Sequence, residues 1–213
     1  MKKKALSLLL AVVLCFSFDI PTLAASDEAI AAADRLNELG LFAGEGANAD
    51  RTSNYDLDRA PNRTEAETLP VRRLGKEAEA KAGAFTTPFT DVADWAKPYV
   101  GYAYANGLTS GTSQATFSGT DTVSATQYLT FVLRALGYSS DREFAWTAEW
   151  GLTYERGIVS GEYGAESACV RGDAVIVSAA ALDVKLKDGS KTLLEDIEEA
   201  LANAPEVPEA PVC

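Results

Sequence analysis

The stretch Trp95-Ala-Lys-Pro-Tyr-Val-Gly-Tyr-Ala-Tyr-Ala-Asn-Gly107-Leu108 places apolar residues at Trp95, Ala96, Tyr99, Val100, Ala103 and Tyr104, the stripe of an amphipathic helix. Pro98 lacks an N–H and is best tolerated in a first turn, so the helix is expected to begin within a few residues of Trp95. Asp94 or Asp91 can cap its start, and Gly107 can end it in a left-handed conformation. A loop from Gly111 to Phe117 follows. A second stripe then runs through Ala125, Tyr128, Leu129, Val132, Ala135 and Leu136, and Gly137 stops it.

This helix-loop-helix unit occurs three times. The first copy reads Asn37-Glu-Leu-Gly40-Leu41, then Gly44, Tyr55 and Arg63 to Gly75; the third reads Glu155-Arg-Gly157-Ile158, then Gly161, Tyr163 and Arg171 onward. Landmarks shift by 62 and then 46 residues, and Tyr55 to Gly75 superposes on Phe117 to Gly137 without a gap. One such unit cannot bury its apolar face alone, whereas three packed together can. In the third copy, Trp146, Trp150 and Tyr154 mark the first helix, and Val175, Ile176, Ala179 and Leu182 the second. A further helix, about residues 191–203, presents Leu194, Ile197 and Leu201 on one face, before a Pro-rich tail. The expected fold class is all-α. The expected division is a leader (1–24), three repeats (25–83, 84–140 and 141–189), a C-terminal helix (190–203) and an extended tail (204–213).

Lys2-Lys3-Lys4, the apolar run from Ala5 to Phe18 and the small residues around Ala24 have the layout of a cleaved secretory signal. The run is too short for a comfortable membrane span, and no second membrane-length segment follows. Loss of Lys2, Lys3, Lys4 and Asp19 with the leader takes the net charge from −12 to −14. So acidic a chain, with no later run of Lys or Arg, is a poor nucleic-acid partner. The absence of histidine excludes Ser-His-Asp triads, Cys-His pairs and His-bearing zinc sites. No cofactor or metal is expected. Cys169 and Cys213 remain after cleavage; they can pair, or Cys213 can be a free thiol or join a protein partner.

The first copy breaks the pattern. Glu67, Pro70 and Arg73 stand where the middle copy has Leu129, Val132 and Ala135. A mid-helix proline costs about 3 kcal/mol, and a buried unpaired charge costs more unless it reaches water. A kinked or shortened helix is expected here, or one rotated so that Leu69 and Leu74 face inward.

Phe89-Thr-Asp91-Val92 with Trp95, the Gly107-Leu-Thr-Ser-Gly111 and Gly157-Ile-Val-Ser-Gly161 turns, Phe117, the helix opening Asn62-Arg63-Thr-Glu65-Ala66 and its counterpart Cys169-Val-Arg171-Gly-Asp173 resemble the S-layer homology family in a triple-repeat form. The likeness covers roughly residues 26–200. It implies a pseudo-threefold bundle that holds exported proteins non-covalently on a bacterial cell wall. Such modules bind wall-linked, often pyruvylated, polysaccharide in grooves between repeats. By this resemblance the carbohydrate ligands are Arg63 and Arg171 at the helix openings, Asp91 and Trp95 in the middle copy, and the loop glycines Gly44, Gly111 and Gly161. Ala125 replaces the arginine of the middle copy, which leaves at most two competent grooves.

The chemistry is coherent: a guanidinium grips a carboxylate through two parallel hydrogen bonds, an indole covers the apolar face of a pyranose, and glycine admits a sugar to the backbone. The net charge opposes binding an anionic polymer, so local arginines must overcome it. Each residue also has a structural reading. Arg63 and Arg171 can pair with Glu65 and Asp173, Trp95 lies on the apolar stripe, Asp91 can be a helix cap, and the glycines can serve turn geometry alone.

Two other functions compete. Asn54, Asp56, Asp58 and Glu65 occupy positions 1, 3, 5 and 12 of an EF-hand loop, but Arg59 stands where the glycine belongs. Paired carboxylates can hydrolyse glycosides, yet acids such as Glu195, Glu198 and Glu199 fall on solvated faces, and the repeats occupy nearly the whole mature chain. The chain is therefore expected to be exported, non-catalytic and wall-binding.

Overall fold

The computed structural model describes residues 26–48, 53–139, 149–160 and 169–203. The expected leader, the Pro-rich tail with Cys213, Trp146, Gly161 and Tyr163 lie outside them. The chain order is α1 (Asp27–Glu38), β1 (Gly46–Ala47), β2 (Ser53–Asn54), α2 (Arg63–Arg73), α3 (Glu77–Ala82), a 3₁₀ turn (Asp94–Ala96), α4 (Lys97–Ala105), α5 (Ala125–Ala135), α6 (Glu149–Glu155), α7 (Arg171–Leu182) and α8 (Leu193–Ala202). The fold is mostly helical, not strictly all-α, because β1 and β2 pair antiparallel, Gly46 opposite Asn54. No helix among the described residues is long and apolar enough to cross a membrane.

Local chemistry explains most helix ends. Ser26 and Thr192 cap α1 and α8 through their hydroxyls. The second helices share one device, in which the third helical residue reaches back to the N–H of the residue before the helix. Glu65 accepts from Asn62, Gln127 from Ser124 and Asp173 from Val170, each satisfying a donor that the helix leaves open. Gly107, at φ +70°, follows α4 as expected. Neither Asp91 nor Asp94 caps the α4 segment: Ala93 precedes the 3₁₀ turn without a side-chain cap, and Asp94 pairs with Lys97 at 2.6 Å.

Helices from different copies pack against each other. The first helix of each copy lies on a second helix of another: α1 on α7, α4 on α2 and α6 on α5. The second helices α2 and α7 each also touch α5. The largest core cluster joins Leu36, Leu129, Leu133, Leu136, Val175 and Leu182 with their neighbours. A second, around Val71, Ala80, Tyr99 and Leu108, ties α3 and α4 to α2. Helix α3 has no counterpart in the sequence reading. Tyr99 holds it by donating to Glu77 at 2.6 Å and accepting from Arg72 at 3.3 Å.

Two expectations about individual residues fail. Trp95 is 58 % exposed, and Tyr104 and Tyr154 are also exposed, while Tyr102 is buried. The 3₁₀ turn before α4 advances the chain by fewer residues per turn, so Trp95 is out of phase with the helical stripe. Helix α2 is not shortened, because Arg63–Arg73 matches Ala125–Ala135 residue for residue. Nor has it rotated Glu67 outward. Glu67 is fully buried beside Ala66 and Val71, and neither carboxyl oxygen has a hydrogen-bond partner of good geometry. Burial pushes its pKa up to about 8, against the opposing pull of Arg134, Thr109 and Arg63. The charge is avoided by protonation rather than by escape to water.

Candidate functional site at the repeat junctions

Two helix openings dock on loops of other copies in the same way. The N–H groups of Arg171 and Gly172 donate to the carbonyls of Arg59 and Leu57 at 2.9 and 2.7 Å. Those of Arg63 and Thr64 donate to Asp121 and Gly119 at 2.9 and 3.0 Å. Arg59 and Leu57 stand 62 residues before Asp121 and Gly119, so the acceptors correspond as the donors do. Each junction buries an arginine at its mouth. Arg63 and Arg171 are both 5 % exposed.

At the Arg171 junction a cleft of about 260 Å³ opens, near the small end of ligand-binding sites. Gly44 and Glu45 of the first copy, Trp95 of the second and Arg171 of the third all line it, with Arg72 and Thr68 from α2. Larger hollows, of about 640 Å³ between α3 and α8 and about 490 Å³ beside Asn54 and Asp56, carry neither a guanidinium nor an indole.

The side chains are held firmly. Arg171 Nε donates to the Tyr55 carbonyl at 3.0 Å, its Nη1 lies 3.3 Å from Glu45, and its guanidinium sits 5.0 Å from the Phe42 ring centroid. Burial lowers its pKa, but not enough to discharge an arginine. Gly44 is required for close approach: a Cβ there would meet the Asn54 carbonyl oxygen at 2.5 Å. A Gly44→Ala variant is expected to push β2 away and lower thermal stability by about 1–3 kcal/mol, which paired thermal melts check.

The Arg63 junction contains other expected residues in other roles. Asp91 binds no helix end. Its carboxylate accepts from the N–H groups of Phe117 and Ser118 at 2.7 and 2.8 Å. Burial opposes the charge slightly, but these donors outweigh it and hold the pKa below the usual carboxylate range. Asp91 thus braces the loop that receives the Arg63 end of α2. Asp91→Ala is expected to destabilise the fold by about 1–2 kcal/mol, read as a lower urea midpoint at unchanged slope. Gly111, at φ +73°, faces the Phe89 ring, which a Cβ would meet at 2.4 Å, so it serves turn geometry and packing.

Arg63 has no ion pair among the described residues. Its guanidinium lies 5.9 Å from the Phe131 ring centroid, and its Nε has no hydrogen-bond partner. The expected pairings with Glu65 and Asp173 do not form. Glu65 instead takes both terminal nitrogens of Arg59 at 2.8 and 3.0 Å, and Asp173 accepts from Val170.

Arg59 also occupies the candidate calcium loop. It binds Asp56 at 2.7 Å as well as Glu65, so two of the four proposed ligands are committed to a guanidinium. The Asn54 side-chain oxygen accepts from the Asp56 N–H. The melting temperature is expected to be the same with calcium and with chelator. Cys169 is buried and free, and burial with the nearby Asp173 pushes its thiol up to about 12, so it is inert.

Sequence comparison fits this geometry. Residues 88–124 match the profile of the S-layer homology domain. That segment contains Asp91, Trp95, Gly107, Gly111 and Phe117, and it ends at Ser124, the cap of α5. The chain is also 33 % identical over 114 residues to the middle cell wall protein of Brevibacillus brevis, and equally so to a surface layer protein of Brevibacillus choshinensis. Each match covers 53 % of this chain and 10 % of the relative. An endoglucanase of a Bacillus species is 37 % identical over 100 residues, 42 % of this chain and 10 % of the enzyme. The chain therefore spans about a tenth of the length of these relatives.

Glu45 and Arg59 were missed in the sequence reading. Only Arg59 left a signal, standing where a calcium loop needs glycine.

Proposed function

We propose that this chain is an exported, non-catalytic module that attaches protein to the bacterial cell surface by binding cell-wall polysaccharide, carboxylate-bearing pyruvylated forms included. One observation carries this reading: Gly44, Trp95 and Arg171, from three copies, meet in one cleft. Sugar recognition uses such parts, an exposed indole for the pyranose face, a fixed guanidinium and an unobstructed backbone. The matches to a cell wall protein and a surface layer protein support the location. The pairing of α1 with α7, α4 with α2 and α6 with α5 supports a cyclic, pseudo-threefold arrangement of the copies. In it, Arg171 and Arg63 mark two grooves, and Ala125 marks a third that lacks its arginine. Asp91 and Gly111 shape the Arg63 groove from behind.

Sedimentation with purified Gram-positive walls tests the reading. The protein is expected to pellet with intact walls and to stay in solution once acid has stripped the wall-linked polysaccharide. Equal pelleting with stripped walls would make peptidoglycan or protein the partner instead. Release of reducing ends from the walls would contradict a non-catalytic role.

A further inference from the structure

Resting on that reading, we infer that the Arg171 cleft takes an uncharged sugar unit of the polymer, and that Glu45 is the residue that sets this choice. Every guanidinium of the cleft already faces a carboxylate. Arg171 lies 3.3 Å from Glu45, Arg72 lies 3.5 Å from Glu77, and Arg59 behind them binds Glu65 and Asp56 and lies 3.4 Å from Glu45. Glu65 and Glu77 are firmly ionised. Burial opposes their charge, but Arg59 outweighs it for Glu65, as Lys81, Tyr99 and Arg72 do for Glu77.

A carboxylate entering this cleft meets no uncompensated cation. It must displace Glu45 from Arg171 and then sit near Glu65, a like-charge approach that disfavours it. A hydroxyl-rich neutral ring meets no such barrier. Glu45 uses only Oε1 toward Arg171 and Arg59, which leaves Oε2 as an acceptor at the half-exposed mouth of the cleft. Its backbone is fixed, because its N–H donates to the Asn54 carbonyl at 2.8 Å. Trp95 supplies the apolar face, and Arg171 acts as a positioning residue that aims Glu45.

Arg63 is the contrast. It is as deeply buried but has no carboxylate bonded to it among the described residues, and Glu67 and Asp121 act on its charge only through space. The acidity of the whole chain points the same way, since a cleft that needs no anion does not work against the mean field.

The test is a titration of full-length mature protein, followed through the Trp95 indole N–H signal, which is assigned by its loss in Trp95→Phe. Two probes are used: carboxylate-bearing oligosaccharides released from the wall polymer, and the same oligosaccharides with their carboxylates converted to methyl amides. The amidated probe is expected to shift the Trp95 signal with an affinity about tenfold above that of the acidic one. Glu45→Gln, a change at an exposed side chain, is expected to weaken the amidated probe about tenfold and to erase the preference. Tighter binding of the acidic probe at Trp95, or a preference unchanged in Glu45→Gln, overturns the inference. So does a silent Trp95 signal with both probes while intact walls still pellet the protein, which leaves the attachment reading standing. If both probes and intact walls fail together, the attachment reading falls as well.

Discussion

Raising the pH from about 5 to about 9 is expected to lower the melting temperature of this protein by about 8–16 °C, and Glu67→Gln is expected to remove most of that slope. Glu67 is protonated in the fold up to about 8, but the unfolded chain releases that proton near the ordinary glutamate value of 4.5. Between those two values the folded state holds the extra proton. Stability is therefore full below the unfolded value, falls as the pH rises, and levels off above the folded value. At roughly 1.4 kcal/mol per pH unit, the loss from about pH 5 upward is about 4 kcal/mol. Carboxylates with lowered values, such as Glu65, Glu77 and Asp91, change stability only in acid, below this range. Burial shifts Glu149 and Asp173 in the same direction as Glu67, so the glutamine variant keeps a smaller residual slope. Glu67→Leu restores the side chain that the middle copy has at Leu129 and is expected to raise the melting temperature at every pH. A slope in Glu67→Gln equal to that of the wild type would show that Glu67 ionises without cost, and so is not sealed as the structure has it.

The defect in the first copy shows what was legible in this chain and what was not. The sequence located the misfit at Glu67 correctly, because a gap-free superposition on Leu129 needs only the period of the repeat. It did not foresee that a neutral carboxyl would be tolerated in place. That outcome follows from burial in the assembled core, which outweighs the pull of Arg134, Thr109 and Arg63 toward the charged form. Most helix positions, and the glycines after α1, α2, α4, α5 and α6, were equally legible, since both are local; α3 was not. Trp95 was not, because one 3₁₀ turn rephases its side chain relative to the stripe of Ala96, Tyr99, Val100 and Ala103; Tyr104, read on the same stripe, is also exposed. Asp91 was recognised as important but assigned to the wrong donors; its partners Phe117 and Ser118 lie 26 and 27 residues away. The arginines were found by their position in the repeat, yet their electrical states differ for reasons outside the repeat. Glu45 faces Arg171 across 126 residues of chain, whereas Asp121 and Glu67 act on Arg63 only through space, with no ion pair among the described residues.

Replacing Arg171 with alanine is expected to weaken pelleting with intact walls and to lower the melting temperature by about 5–12 °C. The side chain is almost fully buried and performs three tasks. It satisfies the Tyr55 carbonyl, pairs with Glu45 and covers the Phe42 ring. A charged hydrogen bond to a buried acceptor is worth about 1.5–3 kcal/mol, and the cation–π contact about 1 kcal/mol. The ion pair adds little, because Glu45 is half in water. A total of about 2–4 kcal/mol follows, nearly all of it from packing the third copy against the loop of the first. Arg171→Lys separates this structural share from the binding share. Lysine keeps the charge near Glu45 but cannot donate to Tyr55 while lying flat on Phe42. It is expected to recover part of the melting temperature and little of the wall binding, because Glu45 is then held at the right charge but the wrong angle. Full recovery of wall binding by lysine would reduce Arg171 to a source of charge and remove its role in aiming Glu45.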